Sequence, residues 1–279
     1  MTTLPGGGPP SAPSRRILVR LAYDGTRYAG WQIQPGLATV QGTLAEAIRS
    51  ISGEVVMPRG ASRTDSGVHA VDQVAAFTST SGHSAAVWWR ALNALLPPDI
   101  AVREAREVAA NFDPVSAAIR KCYRYRIYDA RWRPVLDRHL VWRWRGRLDE
   151  GRMQEEAAAL VGEHDFTSFE SAPSTRVSKV RTIHSLGVFR PPLAGDAAGA
   201  EVWVEVVGNG FLYNMVRIIV GSLVMVGAGR RPPGWLGEAL AARSRPAAGP
   251  TAPPQGLVLV SIELDPGRWP ATGALELGS

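Results

Sequence analysis

Three residue types, far apart in the chain, could do chemistry together. Asp65 stands in Gly60-Ala61-Ser62-Arg63-Thr64-Asp65-Ser66-Gly67-Val68-His69-Ala70, a polar, turn-rich stretch between the apolar runs Val55-Val56-Met57 and Val74-Ala75-Ala76-Phe77. By itself the carboxylate is either a turn residue or a group presented at a site, because loops held on rigid scaffolds often carry function. Arg217 interrupts the most apolar run of the chain, Phe211 to Val226. A guanidinium is rarely buried without a partner, so that run needs an acid or a ligand facing it. Tyr123 lies in Lys121 to Tyr128, where Tyr123, Tyr125 and Ile127 alternate with Arg124, Arg126 and Tyr128. In a strand such alternation puts the two sets on opposite faces.

Each feature has a plain structural reading and a functional one. Arg217 pairs either with one of many acids for packing alone or with Asp65. The tyrosines are either half-buried core or a stacking platform for a base, with the arginines solvated or tracking phosphates. On an ideal helix Gly210, Asn214, Arg217 and Gly221 form one polar stripe with room for a close backbone approach.

The elements that must position these groups are legible from periodicity. A strand is expected at Ile17 to Tyr23, closed by Asp24-Gly25 and followed by the loop aromatic of Gly30-Trp31-Gln32. Helical spacing runs from Val40 to Ile51, and Glu54 to Met57 and Gln73 to Thr78 read as strands flanking the Asp65 loop. A helix from Ser84 stops before Pro97-Pro98, and Ile100 to Val108 returns as a strand. After a crossover near Ala109 to Ser116 come the tyrosine strand, a second basic-aromatic alternation at Val141 to Arg145, and a helix over Leu148 to Val161. Strands follow at Thr182 to Phe189 and Glu201 to Val207, joined by an exposed loop from Pro191 to Ala200. The run from Phe211 is a buried helix rather than a membrane span, being too short and holding Asn214 and Arg217. A short helix at Trp235 to Ala242 and a strand at Leu257 to Leu264 complete the chain. Short strand-to-strand links favour an antiparallel or mixed sheet with helices on one face, an α+β fold. The domain boundaries expected are a tail over 1–14, one α+β domain over 15–112, a second over 113–270, and a tail over 271–279.

Composition narrows the partner. The chain of 279 residues carries a net charge of +6, and its charge is mostly arginine, with lysine only at Lys121 and Lys179. Between Arg120 and Arg147 there are ten basic residues against Asp129 and Asp137, so the rest of the chain is slightly acidic. Concentrated arginine suits a phosphate-bearing partner, although the abundance of Ala, Gly and Pro also fits a general compositional bias. Cys122 is the single cysteine, which rules out an intrachain disulfide and a cysteine-based metal cluster. The five histidines show no metal-ligand spacing. His69 reads as a loop-ordering residue and His164 as a residue near a helix end. The N-terminal residues lack a signal-peptide core, which leads to the expectation of a cytoplasmic protein.

Taken in order, the motifs resemble one family. Arg63-Thr64-Asp65-Ser66-Gly67-Val68-His69-Ala70 is similar to the RTDxGVH motif of the TruA-type tRNA pseudouridine synthases. Ala22-Tyr23-Asp24-Gly25-Thr26 with Gly30-Trp31-Gln32, Lys121-Cys122-Tyr123-Arg124-Tyr125, Asp165-Phe166-Thr167-Ser168-Phe169, Asn214-Met215-Val216-Arg217 and Gly256-Leu257-Val258-Leu259-Val260 resemble the family's other signatures. The resemblance spans about Ile17 to Leu264. It implies two RRM-like (ferredoxin-like) α+β units around a basic cleft, and a homodimer that isomerises uridine at positions 38, 39 and 40 of the tRNA anticodon arm. No metal or cofactor is implied.

On the matching positions, the resemblance makes Asp65 the nucleophile and Arg217 its partner. Tyr123 becomes the tyrosine over the base, and Arg63 a holder of the extruded nucleotide. Arg124 and Arg126 are further candidates for RNA contact. Ser66 stands where many members have alanine, and Phe112-Asp113-Pro114-Val115 replaces a more basic stretch. A tRNA-binding protein without turnover and a metal-dependent hydrolase using Asp65 are the competing readings. The first needs no nucleophile, and the second is disfavoured by the scattered histidines.

Overall fold

The computed structural model describes residues 14–171, 178–192 and 199–267; the expected tails and the middle of the Pro191–Ala200 loop fall outside the described residues. The first unit runs β1 (Arg15–Tyr23), α1 (Val40–Ser52), β2 (Arg59–Gly60), β3 (His69–Ser79), α2 (Ala85–Leu95) and β4 (Ile100–Val108). Its strands order as β4-β1-β3 with β2 on the outer side of β3, all antiparallel. That is the βαββαβ arrangement of a ferredoxin-like unit. A four-residue helix, α3 (Pro114–Ala117), capped by the Asp113 side chain, turns the chain into the second unit.

There the elements are β5 (Ala118–Tyr128), β6 (Trp142–Arg143), α4 (Glu150–Ala157), β7 (Gly162–Asp165), β8 (Val180–Phe189), β9 (Glu201–Gly208), α5 (Met215–Gly227), α6 (Trp235–Ala241) and β10 (Leu257–Leu264). The order β10-β5-β9-β8 repeats the same topology, with β7 added at the edge and β6 beside β5. A duplication that the residues themselves do not betray is plain in the strand order.

The two units share one sheet. β10 pairs antiparallel with β5 along its length and parallel with β3 at Val258–His69 and Leu259–Ala70. It therefore lies on the same side of β3 as β2, one at each end of that strand. A single apolar core runs through both halves, from Val19, Phe77 and Trp88 to Ile127, Val204 and Ile219. No helix among the described residues is long and apolar enough to cross a membrane.

Local chemistry explains the element ends. Thr39, Ser84 and Asp149 accept from backbone N–H groups at the starts of α1, α2 and α4, and Gly53 closes α1 at φ 75°. Two expectations need correction. Glu54 to Met57 forms no strand: Val55 and Met57 point to solvent, and Glu54 instead bonds to Ser79 and Thr80. Pairing is confined to Arg59 and Gly60, beyond Pro58, whose ring removes a donor. The helix expected over Leu148 to Val161 is α-helical only from Glu150 to Ala157, then tightens into a 3₁₀ turn.

The buried helix α5 starts at Met215, four residues later than the apolar run. Asn214, at φ 59°, occupies the left-handed region at its entrance, so Gly210 and Asn214 precede the helix and the expected four-residue stripe is broken. Gly221 does permit a close backbone approach, although by the chain itself: a Cβ there would lie 1.8 Å from the Pro250 carbonyl oxygen. A Gly221→Ala variant is therefore expected to lose about 1–3 kcal/mol of stability. Urea melts beside the parent measure this, and an unchanged midpoint would contradict the packing.

Candidate active site

The β2–β3 loop is held by a buried polar network. The Gln73 amide donates to the Ser62 carbonyl at 2.6 Å and, at 3.4 Å, to the Tyr23 hydroxyl, while Tyr23 and Thr64 hydroxyls lie 2.8 Å apart. Buried polar groups satisfied in this way fix a single loop geometry. The N-terminal signature packs against the same loop. Trp31 N–H donates to the Thr64 carbonyl and Gly67 N–H to the Tyr28 carbonyl. Gly30, at φ 92°, leaves no room for a Cβ, which would sit 2.5 Å from the Thr64 oxygen. The two N-terminal motifs are thus the bed on which the Asp65 turn rests. Ser66 spends its hydroxyl on the Tyr28 carbonyl, so the departure from alanine is accommodated locally.

His69 is part of this support. Gly25 N–H donates to its Nδ1 at 3.0 Å, and the Asp24 carboxylate is at the same distance. Burial lowers its pKa, partly opposed by Asp24 and by the backbone of Gln255 and His139. A neutral, structural imidazole fits the loop-ordering role expected of it. His164 sits on the short edge strand β7, just after the α4 segment, with Nε2 2.9 Å from the Val161 carbonyl.

Asp65 meets Arg217 across the seam between the units. Arg217 Nη1 donates to Asp65 Oδ2 at 3.3 Å, although the two residues are 152 positions apart. The same Nη1 donates to Asn214 Oδ1 at 2.6 Å, and Nε donates to the Ala252 carbonyl at 2.8 Å. Asn214 in turn donates to Ser171 Oγ at 2.9 Å. Ala252 N–H returns a bond to the Arg217 carbonyl, so helix α5 and the segment before β10 clamp the guanidinium. The Asp65 side chain keeps 21% of its surface and Arg217 15%, which leaves the pair reachable from solvent without being solvated. Burial pushes the Asp65 carboxyl above its ordinary value, and the charge and hydrogen bond of Arg217 hold back only part of that rise.

Tyr123 comes from β5. Its hydroxyl is 3.0 Å from Ser62 Oγ and its ring meets Phe211 edge to face at 5.3 Å. Burial raises its pKa, and the nearby Asp65 charge adds to the rise. Tyr125, two residues on, is committed to the core: its hydroxyl donates to the Pro253 carbonyl and Gly256 presses on its ring.

The structure thus brings Asp65, Arg217 and Tyr123 to one place and adds Asn214, Ser62 and Gln73. Arg63 is exposed beside Thr64. Arg124 and Arg126 are not part of the site. They lie on the face of β5 opposite Tyr123, where Arg124 pairs with Glu205 at 2.6 Å and stacks over Trp203, and Arg126 pairs with Glu201 and Asp137. Strand alternation forces that separation. Phe112 is buried and Asp113 pairs with Arg59, so the divergent crossover serves packing. Asn214 was already marked beside Arg217 in the apolar run, and Gln73 could have been suspected as an amide opening an apolar strand; Ser62 carries no such signal.

Comparison with known proteins places the chain in a family. A family profile described as tRNA pseudouridine synthase matches residues 21–115 and 157–265. Proteins named tRNA pseudouridine synthase A are similar over most of their length. That of Myxococcus xanthus is 44% identical over 88% of this chain and 91% of its own. That of Brevibacillus brevis is 45% identical over 89% and 99%, and that of Geotalea daltonii 41% over 89% and 99%. The matched segments contain Asp65 and Arg217 as well as the strands and helix that present them, and the chain belongs to the tRNA pseudouridine synthase family.

Proposed function

We propose that this tRNA isomerase converts uridine to pseudouridine at positions 38–40 of the anticodon stem-loop, with Asp65 as nucleophile. What supports the reading is the meeting of Asp65 with Arg217 at 3.3 Å beside the Tyr123 ring, three groups delivered by separate parts of the chain. The target nucleotide is extruded from its stack at a cost of a few kcal/mol, and the exposed Arg63 helps to hold it out. The ionised Asp65 then adds either to the sugar C1′, as the N1–C1′ bond breaks and the electron pair leaves with uracil, or to C6 of the ring, the C5=C6 pair moving onto the C4 oxygen before the N1–C1′ bond breaks with its pair going to N1. The base turns, C5 bonds to C1′, the carboxylate is expelled, N1 takes a proton and C5 loses its own.

Tyr123 packs on the uracil and takes part in removing the C5 proton. Burial, with a smaller addition from the Asp65 charge, holds the hydroxyl protonated, so it acts on the C5 proton only once C1′ is bonded and that proton has become acidic. A Tyr123→Phe variant is expected to bind tRNA within a few-fold of the parent and to turn over about 10²–10⁴-fold more slowly. Single-turnover rates measure it, and parental turnover would remove the hydroxyl from the chemistry.

Tritium release to water from tRNA labelled at C5 tests the activity. Substrates carrying the label only at uridine 38, 39 or 40 test the positions. Absence of release from all of them sinks the reading, and release only from uridines elsewhere corrects its positional part. The reading includes a homodimer, supported by the resemblance of the motifs and tested by light scattering.

A further inference from the structure

Eight of the ten basic residues between Arg120 and Arg147 fall into two groups once their partners are known. Arg120 pairs with Glu263, Lys121 donates to the Ala61 carbonyl, and Arg124 and Arg126 are neutralised by Glu205, Glu201 and Asp137. These cations already have partners within the chain. Arg131, Arg133, Arg143 and Arg145 are exposed and have no acidic partner among the described residues.

The fold gathers part of this second group. β6 pairs in parallel with Ile127 and Tyr128 at the end of β5, which folds residues 143–147 back beside 129–132. Arg131, Arg143, Arg145 and Arg147 consequently line one surface cavity with Trp132. Among the described residues the one acid in its wall is Asp129, whose buried carboxylate is taken up by Arg190 at 2.9 Å, by Arg147 at 3.4 Å and by the Leu148 N–H at 2.9 Å. Nothing is left on it to neutralise the other arginines. Trp132 keeps 56% of its surface, an open indole face at the rim.

We propose that this cavity docks the phosphate backbone of tRNA away from the nucleotide being modified. Converging guanidinium forks match phosphate oxygens two at a time, and an exposed indole offers a stacking surface of the kind nucleic-acid grooves use. Like charges held together repel each other until a polyanion covers them. The cavity lies beyond Tyr128, five residues along β5 from Tyr123, or roughly 16 Å at strand spacing. A phosphate seated there belongs to a different stretch of the RNA from the uridine at Asp65. The inference rests on tRNA being the substrate, and it assigns the RNA grip to arginines other than Arg124 and Arg126.

The test uses the full chain with Arg131→Ala, Arg143→Ala and Arg145→Ala combined, leaving Arg147 to hold Asp129. Filter binding of tRNA across a potassium chloride series and tritium release at saturating tRNA are read together. The triple variant is expected to bind about ten- to a hundredfold more weakly, with a log–log salt slope shallower by about 2–3, since each phosphate contact contributes about 0.9. The turnover number and melting temperature stay at parental values, and the corresponding Arg→Lys triple restores most of the slope. An unchanged slope and affinity overturn the proposal, as does a fall in turnover number at unchanged affinity. Failure of the catalytic reading shows separately, as absent tritium release by a parent that still binds tRNA.

Discussion

Asp65→Asn is expected to bind tRNA normally and to release tritium at least about 10⁴-fold more slowly than the parent, the order of loss typical when a nucleophile is deleted. The amide keeps the shape of the side chain and still accepts from Arg217, so the loop network of Ser62, Gln73 and Tyr23 has no reason to move. The fold should gain rather than suffer. Because burial raises the Asp65 pKa, the folded chain holds that proton more tightly than the unfolded chain does. Ionised Asp65 therefore costs stability fully above its folded pKa, and the cost fades as pH falls toward the ordinary aspartate range. At pH 7 the Asn variant should melt no lower than the parent, and the two curves should converge in acid. The same shift places the acid limb of parental activity above the ordinary aspartate range. A variant within tenfold of parental turnover removes Asp65 from the mechanism.

Arg217→Met is expected to lose both activity and stability. The methionine keeps much of the stem but gives up bonds to Asp65, Asn214 and the Ala252 carbonyl. Breaking a buried pair leaves a charge without its counterion, and the partial exposure here places the loss near the low end, about 3 kcal/mol. Turnover should fall about 10²–10³-fold, and the acid limb of activity should move to higher pH because nothing then opposes the desolvation of Asp65. Adding Asp65→Asn to this variant should recover part of the lost melting temperature, since the orphaned carboxylate is gone. If the double variant melts no higher than Arg217→Met alone, the pair is not the source of the loss.

Sequence reading was sound where one local pattern decides the outcome and failed where distant residues decide it. The alternation of Lys121 to Tyr128 correctly separated Tyr123 from Arg124. What it could not supply were Glu205 and Glu201 on β9, the acids with which Arg124 and Arg126 pair. An apolar run located α5, yet its start at Met215 depends on Asn214 entering a left-handed conformation to reach Ser171 and Arg217. Gly221 was read as room for a close approach, and only the tertiary structure reveals that the Pro250 carbonyl occupies it. Glu54 to Met57 had the residue types of a strand but no neighbour to pair with. Strand order, too, is a property of the whole chain: the parallel contact of β10 with β3 leaves no trace in either segment's composition.

That last contact bears on when the molecule becomes competent during its synthesis. The ribosome delivers Asp65 early, and the first ferredoxin-like unit has all four of its strands once Val108 has emerged. Arg217 follows 152 residues after Asp65, and the carbonyl that clamps it, on Ala252, comes later still. Only then does β10 slot between β3 and β5 and close the seam. Non-local pairings of this kind are slow to form. A chain stopped before Arg217 therefore carries Asp65 without the guanidinium that meets it. Such a fragment lacks the pair on which the proposed chemistry rests.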